Sequence, residues 1–314
     1  MTRFNYIVTI HNKEDLIERV VEGLLRSAGE DSHIYLVLDG CTDGTEQVVD
    51  RLTDENVGLP ITKLHAPDVH EILSLNIAFR QVPMEGDGFN ILVQDDVILA
   101  DWNFEKKVVA VNRHFGNRIG VLSFRHGVNV VADDALGEIR EMDVVESCYG
   151  QGMDAKVLQP EHAVARMVCL RSPECISFET IRRIGLLDEK YAPYTYDDHD
   201  YGLRCLRAGL VNVVYALKTR SRVEWGGMRR KPQPGVVRIM KRNRGYVYQD
   251  HKDFLATLRA DDFRREPVLI DAGCAAEPAE TAMRRYAESL ERAQSYSRRQ
   301  RFDLIRRLRE KLAF

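Results

Sequence analysis

The sequence predicts an α/β fold, Rossmann-like, with a mostly parallel mixed sheet, flanking helices and a C-terminal helical extension. Three observations predict it. Short β-branched and aromatic runs alternate with amphipathic helical stretches through residue 110, the pattern of βαβ units. Three of the runs end in polar groups: Thr9 to Asn12, Asp39, and Asp95-Asp96. From about Met228 onward the composition turns basic, opening at Arg229-Arg230-Lys231-Pro232. In open sheets of this kind ligands bind beyond the carboxyl ends of the strands, so the polar strand ends point to a site.

The elements follow in order. Residues 4–10 (FNYIVTI) form a buried strand. Asn12, with Asp15 three residues later, resembles a helix N-cap ahead of Leu16, Val20, Val21, Leu24 and Leu25. Residues 34–38 are a second strand ending at Asp39-Gly40. Thr42-Asp43-Gly44 then turns into a helix through Val48, Val49 and Leu52. A third strand is expected at 61–64, a helix at 71–82 and a strongly apolar strand at 89–93. Beyond it lie strand-like pieces at 120–124 and 163–170, a helix at 178–187, a linker at 268–278 and a helix at 281–314. The expected division is 1–235 for one α/β domain, in parts of about 1–110 and about 111–235, and 236–314 for a basic helical extension.

Composition narrows the class. At 314 residues and 44% hydrophobic content the chain can bury a sizeable core as one large or two modest domains. A formal net charge of -3 excludes a polybasic nucleic-acid binder. The 6 cysteines show no C-x-x-C pair, which argues against a zinc knuckle or disulfide framework and for a reducing, cytoplasmic setting. No apolar run approaches the ~18 residues that span a bilayer, and the chain opens on a strand with no signal-peptide core.

Three constellations carry chemistry. Asp39-Gly40-Cys41-Thr42-Asp43-Gly44-Thr45 places a carboxylate where it could accept hydrogen bonds from a base or ribose, with a glycine that lets a flat ring approach. It could equally be a capped strand-to-helix turn. Gln94-Asp95-Asp96-Val97 puts paired carboxylates at a strand end, a donor set for a hard divalent cation, or simply an acidic turn. Tyr196-Asp197-Asp198-His199-Asp200 crowds carboxylates at a helix start. Such crowding raises carboxylate pKa values and suits a general base, unless the acids only cap the dipole.

In this order the three resemble glycosyltransferase family 2, inverting enzymes of the GT-A fold, over roughly residues 4 to 250. Ile7 to Lys13 is similar to the family's opening strand and turn, and Leu38 to Thr45 to its Asp-Asp-Gly-Ser-Thr-Asp-Gly-Thr. Asn76 stands at the Asn of its Ala-Arg-Asn-x-Gly helix, and Gln94 to Val97 resembles its Asp-x-Asp strand end. Ile184 to Glu189, followed by Asp197 to Arg204, is similar to its Gly-Gly-Phe-Asp-Glu and Glu-Asp-x-Asp-Leu-x-x-Arg pair.

The resemblance implies an inverting, metal-dependent transfer from a nucleotide-sugar donor to a glycan or lipid-linked hydroxyl. Asp39 would read the base or ribose, Thr9, His11 and Asn12 would line the base pocket, and Asn76 and Asp95 would lie nearby. Asp96 would hold Mn²⁺ or Mg²⁺. Asp198 would be the base, with Asp197 and Asp200 supporting it and Asp200 orienting the helix start. The variant at 197–204 looks more like the rhamnosyl- and galactofuranosyl-transferring branches that build bacterial envelope polysaccharides.

Four departures stand out: Leu38 for the first Asp of the pair, His11 for a stacking aromatic, Leu75 for an Arg that would meet the diphosphate, and Gln94 at the first metal position. Where family members supply a late metal-ligand His, Arg222 to Gly227 offers Glu224. The alternatives are a nucleotidyltransferase on a related fold and a non-catalytic GT-A-like binding protein. Phe302, Ile305, Leu308 and Leu312 share a helical face ringed by arginines. That face could bring the protein to the inner surface of a membrane as a peripheral contact, or dock on the catalytic domain, a partner or another copy in a homo-oligomer.

Overall fold

The computed structural model describes residues 2–56, 58–150, 155–171, 173–226, 235–263 and 265–274, with Thr281 and Arg284. The first half alternates as expected: β1 (Arg3–Ile10), α1 (Ile17–Ser27), β2 (Ser32–Asp39), α2 (Thr45–Glu55), β3 (Ile61–Ala66), α3 (His70–Gln81) and β4 (Gly88–Gln94). A short β5 (Val97–Leu99) leads to α4 (Phe104–His114) and β6 (Ile119–Ser123). Then come β7 (His126–Asp133), β8 (Glu138–Ser147), β9 (Lys156–Leu158), β10 (His162–Arg166), β11 (Val168–Leu170) and β12 (Glu174–Ser177). The remainder is α5 (Phe178–Ile184), α6 (Asp197–Arg207), β13 (Val211–Tyr215), β14 (Thr219–Ser221), α7 (Val236–Thr257) and β15 (Val268–Leu269).

The main sheet runs β15-β10-β13-β6-β12-β4-β1-β2-β3. β1, β2, β3 and β4 are mutually parallel and β13 is parallel to β6, whereas β12 lies antiparallel between β4 and β6. In register, Thr9 sits opposite Val37 and Gln94, which aligns the carboxyl ends of β1, β2 and β4 along one edge.

Side-chain alternation explains the two cores. Tyr6, Val8 and Ile10 face one layer, packed by Val20 and Leu24 of α1, Val49 of α2 and Val108 of α4. Ile7 faces the other, with Ile72 and Leu75 of α3, Leu203 of α6 and Val247 of α7.

Several boundaries differ from the sequence reading. Asn12 does not cap α1, which begins at Ile17 with no side-chain cap. Its Oδ1 instead accepts the Thr42 N–H at 2.8 Å, with Asn12 itself in left-handed backbone (φ 52). Residues 163–170 form two strands, β10 and β11, that join different sheets. The helix expected at 178–187 stops at Ile184 because Gly185 takes φ 88.

A second sheet, β11-β7-β8-β9, went unexpected, as did a ribbon pairing β14 with β5. Contacts also cross the expected division at 235. Val247 and Leu255 of α7 are buried in the core, and β15, placed in the expected linker, pairs with β10. No helix of the described residues is long and apolar enough to cross a membrane. The expected basic helix at 281–314 lies almost wholly outside the described residues, as do Arg229, Arg230 and Lys231.

Candidate active site

At the aligned strand ends the backbone of residue 11 is tied across the edge: its N–H donates to Asp95 Oδ2 at 3.1 Å. The His11 ring takes the carbonyl of Asp39 at 2.7 Å through Nδ1, and Asn12 Nδ2 reaches its Nε2 at 3.1 Å. The Asp39 carbonyl can only accept, so Nδ1 donates to it. Thr9 lies half-buried beneath it.

Asp39 is buried, and its Oδ1 accepts the Val69 N–H at 2.8 Å, holding the loop that enters α3. Gly40 follows for a reason the sequence did not reveal. Its φ is 59, and a Cβ there would lie 2.5 Å from Asp68 Cβ. Close approach is thus made by the chain's own loop.

Asp95 and Asp96 form the turn between β4 and β5. Burial pushes the Asp95 carboxyl up to about 7, the charge of Lys13 opposing and that of Asp96 assisting. Lys13 Nζ stands 3.5 Å from Asp95 Oδ1 and donates to the Trp225 carbonyl at 2.8 Å. Ser221 Oγ donates to the Asp96 carbonyl at 2.8 Å. These two contacts, with the β5–β14 ribbon, bring the turn carrying Glu224 to the edge. Glu224 itself is exposed, 4.0 Å from Arg222. The carboxylates offered here are oxygen donors without thiol or imidazole, a set that fits Mg²⁺ or Mn²⁺. Gln94 is turned elsewhere and donates to Glu71 Oε1 at 3.1 Å.

Asn76 does not join this edge. It is fully buried, donating to the Leu187 carbonyl at 2.9 Å and to Glu189 Oε1 at 3.1 Å while accepting the Leu187 N–H at 3.1 Å. Both ends of its amide staple α3 to the loop after α5. Leu75 is equally buried.

The acidic helix start divides into three environments. Asp197 is buried against Arg171, whose Nη2 donates to it at 2.6 Å while Nε donates to Glu174 at 2.7 Å and Nη1 stands 3.5 Å from Glu71. Burial raises Asp197 to about 6 and Glu174 to about 7, with Arg171 opposing in both. Asp200 accepts from Arg204 Nε at 2.8 Å and His251 Nε2 at 2.9 Å, tying α6 to α7. Burial would raise its carboxyl, but the His251 bond and the Arg204 charge hold it below the usual range.

Asp198 overturns the expectation from crowding. Burial would raise it, yet bonding to His199, the His199 charge and Arg171 hold it lowered. Its Oδ1 accepts both the backbone N–H and the ring Nδ1 of His199 at 2.9 Å. Oδ2 takes no hydrogen bond among the described residues. The acid prone to hold a proton is Asp197, one residue earlier.

Thr195 (φ 77) and Tyr196 (φ 65) enter the helix in strained backbone. Asn243 of α7 holds that approach, its Nδ2 reaching the carbonyls of Tyr191 and Thr195 at 2.8 Å. The sequence reading missed Arg171 and Lys13 as site cations, along with Glu71, Glu141 and Asn243. An Arg flanked by Val168–Leu170 and Glu174–Ser177, both largely buried strands, is the signal that could have found Arg171.

Against known proteins the sheet order and strand-end site define a GT-A fold. Residues 6–101 match the family described as Glycosyl transferase family 2. No curated protein sequence matches the chain. Among solved structures, GalNAc-T7 with UDP, GalNAc and Mn²⁺ superposes at TM-score 0.55 and 11% identity, over 92% of this chain and 57% of its own. A mannosyltransferase from Pyrobaculum calidifontis, in complex with GDP-Man and Mn²⁺, gives 0.47 and 15% identity over 93% and 86%. S. aureus TarS gives 0.45 and 14% over 69% of this chain, which spans 35% of that structure's length.

Proposed function

We propose that the chain is a metal-dependent, inverting glycosyltransferase that moves a sugar from a nucleotide-sugar donor to a hydroxyl of a glycan or lipid-linked acceptor. The step at which we place it is bacterial envelope polysaccharide synthesis, on the cytoplasmic side. The observation that carries the reading is the edge of the family 2 segment, where Asp39 ends β2 and Asp95 and Asp96 follow β4, the two parallel strands that flank β1. The ribbon ties the later half of the chain to this edge.

Residues of about 1–110 hold the donor. Asp39 and the shelf of Thr9, His11 and Asn12 take the nucleoside, and Lys13 offsets charge where Leu75 supplies none. Asp96 and Glu224, with Asp95 beside them, would hold Mn²⁺ or Mg²⁺, which when bound neutralises charge on the departing diphosphate. Asp198 accepts the proton of the attacking hydroxyl on Oδ2, and Asp197 and Asp200 anchor the helix that presents it.

Two variants test the donor half. Asp39→Ala should weaken a bare nucleoside diphosphate by about 1.5–3 kcal/mol, the worth of a charge-assisted hydrogen bond. Unchanged affinity by calorimetry removes Asp39 from the site. Asp96→Ala should keep the fold and lose Mn²⁺-dependent donor binding, read by thermal shift across a panel of nucleotide sugars with and without the ion. Equal Mn²⁺-dependent stabilisation in variant and wild type rejects the metal assignment.

A further inference from the structure

Three ionisable side chains run in line from β8 to the start of α6. Glu141 Oε1 lies 3.1 Å from His199 Nε2, and His199 Nδ1 lies 2.9 Å from Asp198 Oδ1. The ring is buried, and Tyr196 covers it at 4.6 Å between centroids. An imidazole facing a carboxylate oxygen from each nitrogen must donate from both, which is the imidazolium form. Nothing about catalysis by Asp198 alone requires the strand that carries Glu141.

Resting on the reading of Asp198 as the base, we propose that His199 is a positioning residue. Clamped by Glu141, it fixes the Asp198 carboxylate through Oδ1 and leaves Oδ2 to face the acceptor hydroxyl.

The surrounding charges agree with that assignment. Burial alone would lower His199, but its bonds to Asp198 and Glu141 raise it to about 9. Glu141 is lowered, first by the His199 bond, with Arg244 of α7 assisting. His126 on β7 faces the same group and is held neutral, down to about 3, by burial and then Arg125. Arg171 faces Asp198 from the other side. Because its folded pKa is raised, His199 contributes stability that is complete below the ordinary imidazole value of 6.5 and is lost as pH rises through about 9. The small sheet therefore reaches the base through Glu141 and the His199 ring that it holds.

The test is NMR titration of the histidine ring in the full chain labelled with ¹³C,¹⁵N-histidine. His199→Gln identifies the resonance. In wild type the His199 ring should stay doubly protonated through neutral pH into the alkaline range. Glu141→Gln and Asp198→Asn should each bring its titration down by about 1–3 pH units, the effect of removing a neighbouring opposite charge. A wild-type ring that titrates like an ordinary imidazole, or one unmoved by Glu141→Gln, overturns the proposal without touching the reading of Asp198. Should the titration behave as expected while Asp198→Asn keeps full turnover, the reading fails instead, and His199 has no base to position.

Discussion

Asp198→Asn should lose turnover by about 10²–10⁴-fold, the usual contribution of a general base, with donor affinity nearly unchanged. The asparagine keeps the size of the group and one acceptor for His199, but cannot take a proton. Because the Asp198 carboxyl is lowered by its neighbours, the wild-type acid limb should fall below the ordinary carboxylate range. Asp200→Asn gives the contrast. It loses charge-assisted bonds to Arg204 and His251, so it should cost about 1.5–3 kcal/mol of stability and little turnover. Side-by-side turnover and melting temperatures decide the matter. A dead Asp200→Asn beside an active Asp198→Asn moves the base two residues along the helix, and two active variants reduce the cluster to a helix cap.

The second large effect belongs to Arg171. One guanidinium holds Glu174 and Asp197, with Glu71 within 3.5 Å, all at the junction of β12, α3 and α6. Removing one partner of a buried ionic group strands the others, so Arg171→Met should cost about 3–5 kcal/mol. The cost should also depend on pH. Glu174 and Asp197 have raised folded pKa values, about 7 and about 6, so their contribution is present in acid and lost as pH rises through those values. Without Arg171 the stranded carboxyls can protonate in acid but not in alkali. Urea midpoints should therefore separate wild type from variant more widely above pH 7 than below the lower value. An equal gap at both ends would show that the carboxylates, once stranded, find water.

The first half of the chain was legible because its signals are local. Strand runs, helix faces and acidic strand ends over residues 1–99 are each read within a short window, and β1 to β4 appear as expected. What was not legible depends on pairing across distance. Gln94 reads as a metal position until Glu71 is seen to hold it, and Asn76 reads as a pocket residue until Leu187 and Glu189 take both ends of its amide. The acidic run at 197–200 has one composition but three environments. Burial raises Asp197 against the opposing charge of Arg171, while bonds to His199 and His251 hold Asp198 and Asp200 lowered, and Arg171 and His251 both come from outside the helix. The small sheet escaped notice because β7 and β8 are irregularly patterned, with a register shift between Gly127 and Asn129.

The position of β12 bears on how the chain comes to be made. This strand of Glu174–Ser177 lies between β4 and β6, so during synthesis β1 to β4 are complete long before their sheet is closed. Until those residues emerge, β4 offers its unpaired backbone along residues 89–92, with Phe89, Ile91 and Leu92 apolar, an edge of the kind that recruits other nascent strands. Contacts so distant in sequence form slowly, because loop closure precedes their reward. The later half of the chain thus serves the first as a late-arriving strand that seals the growing edge.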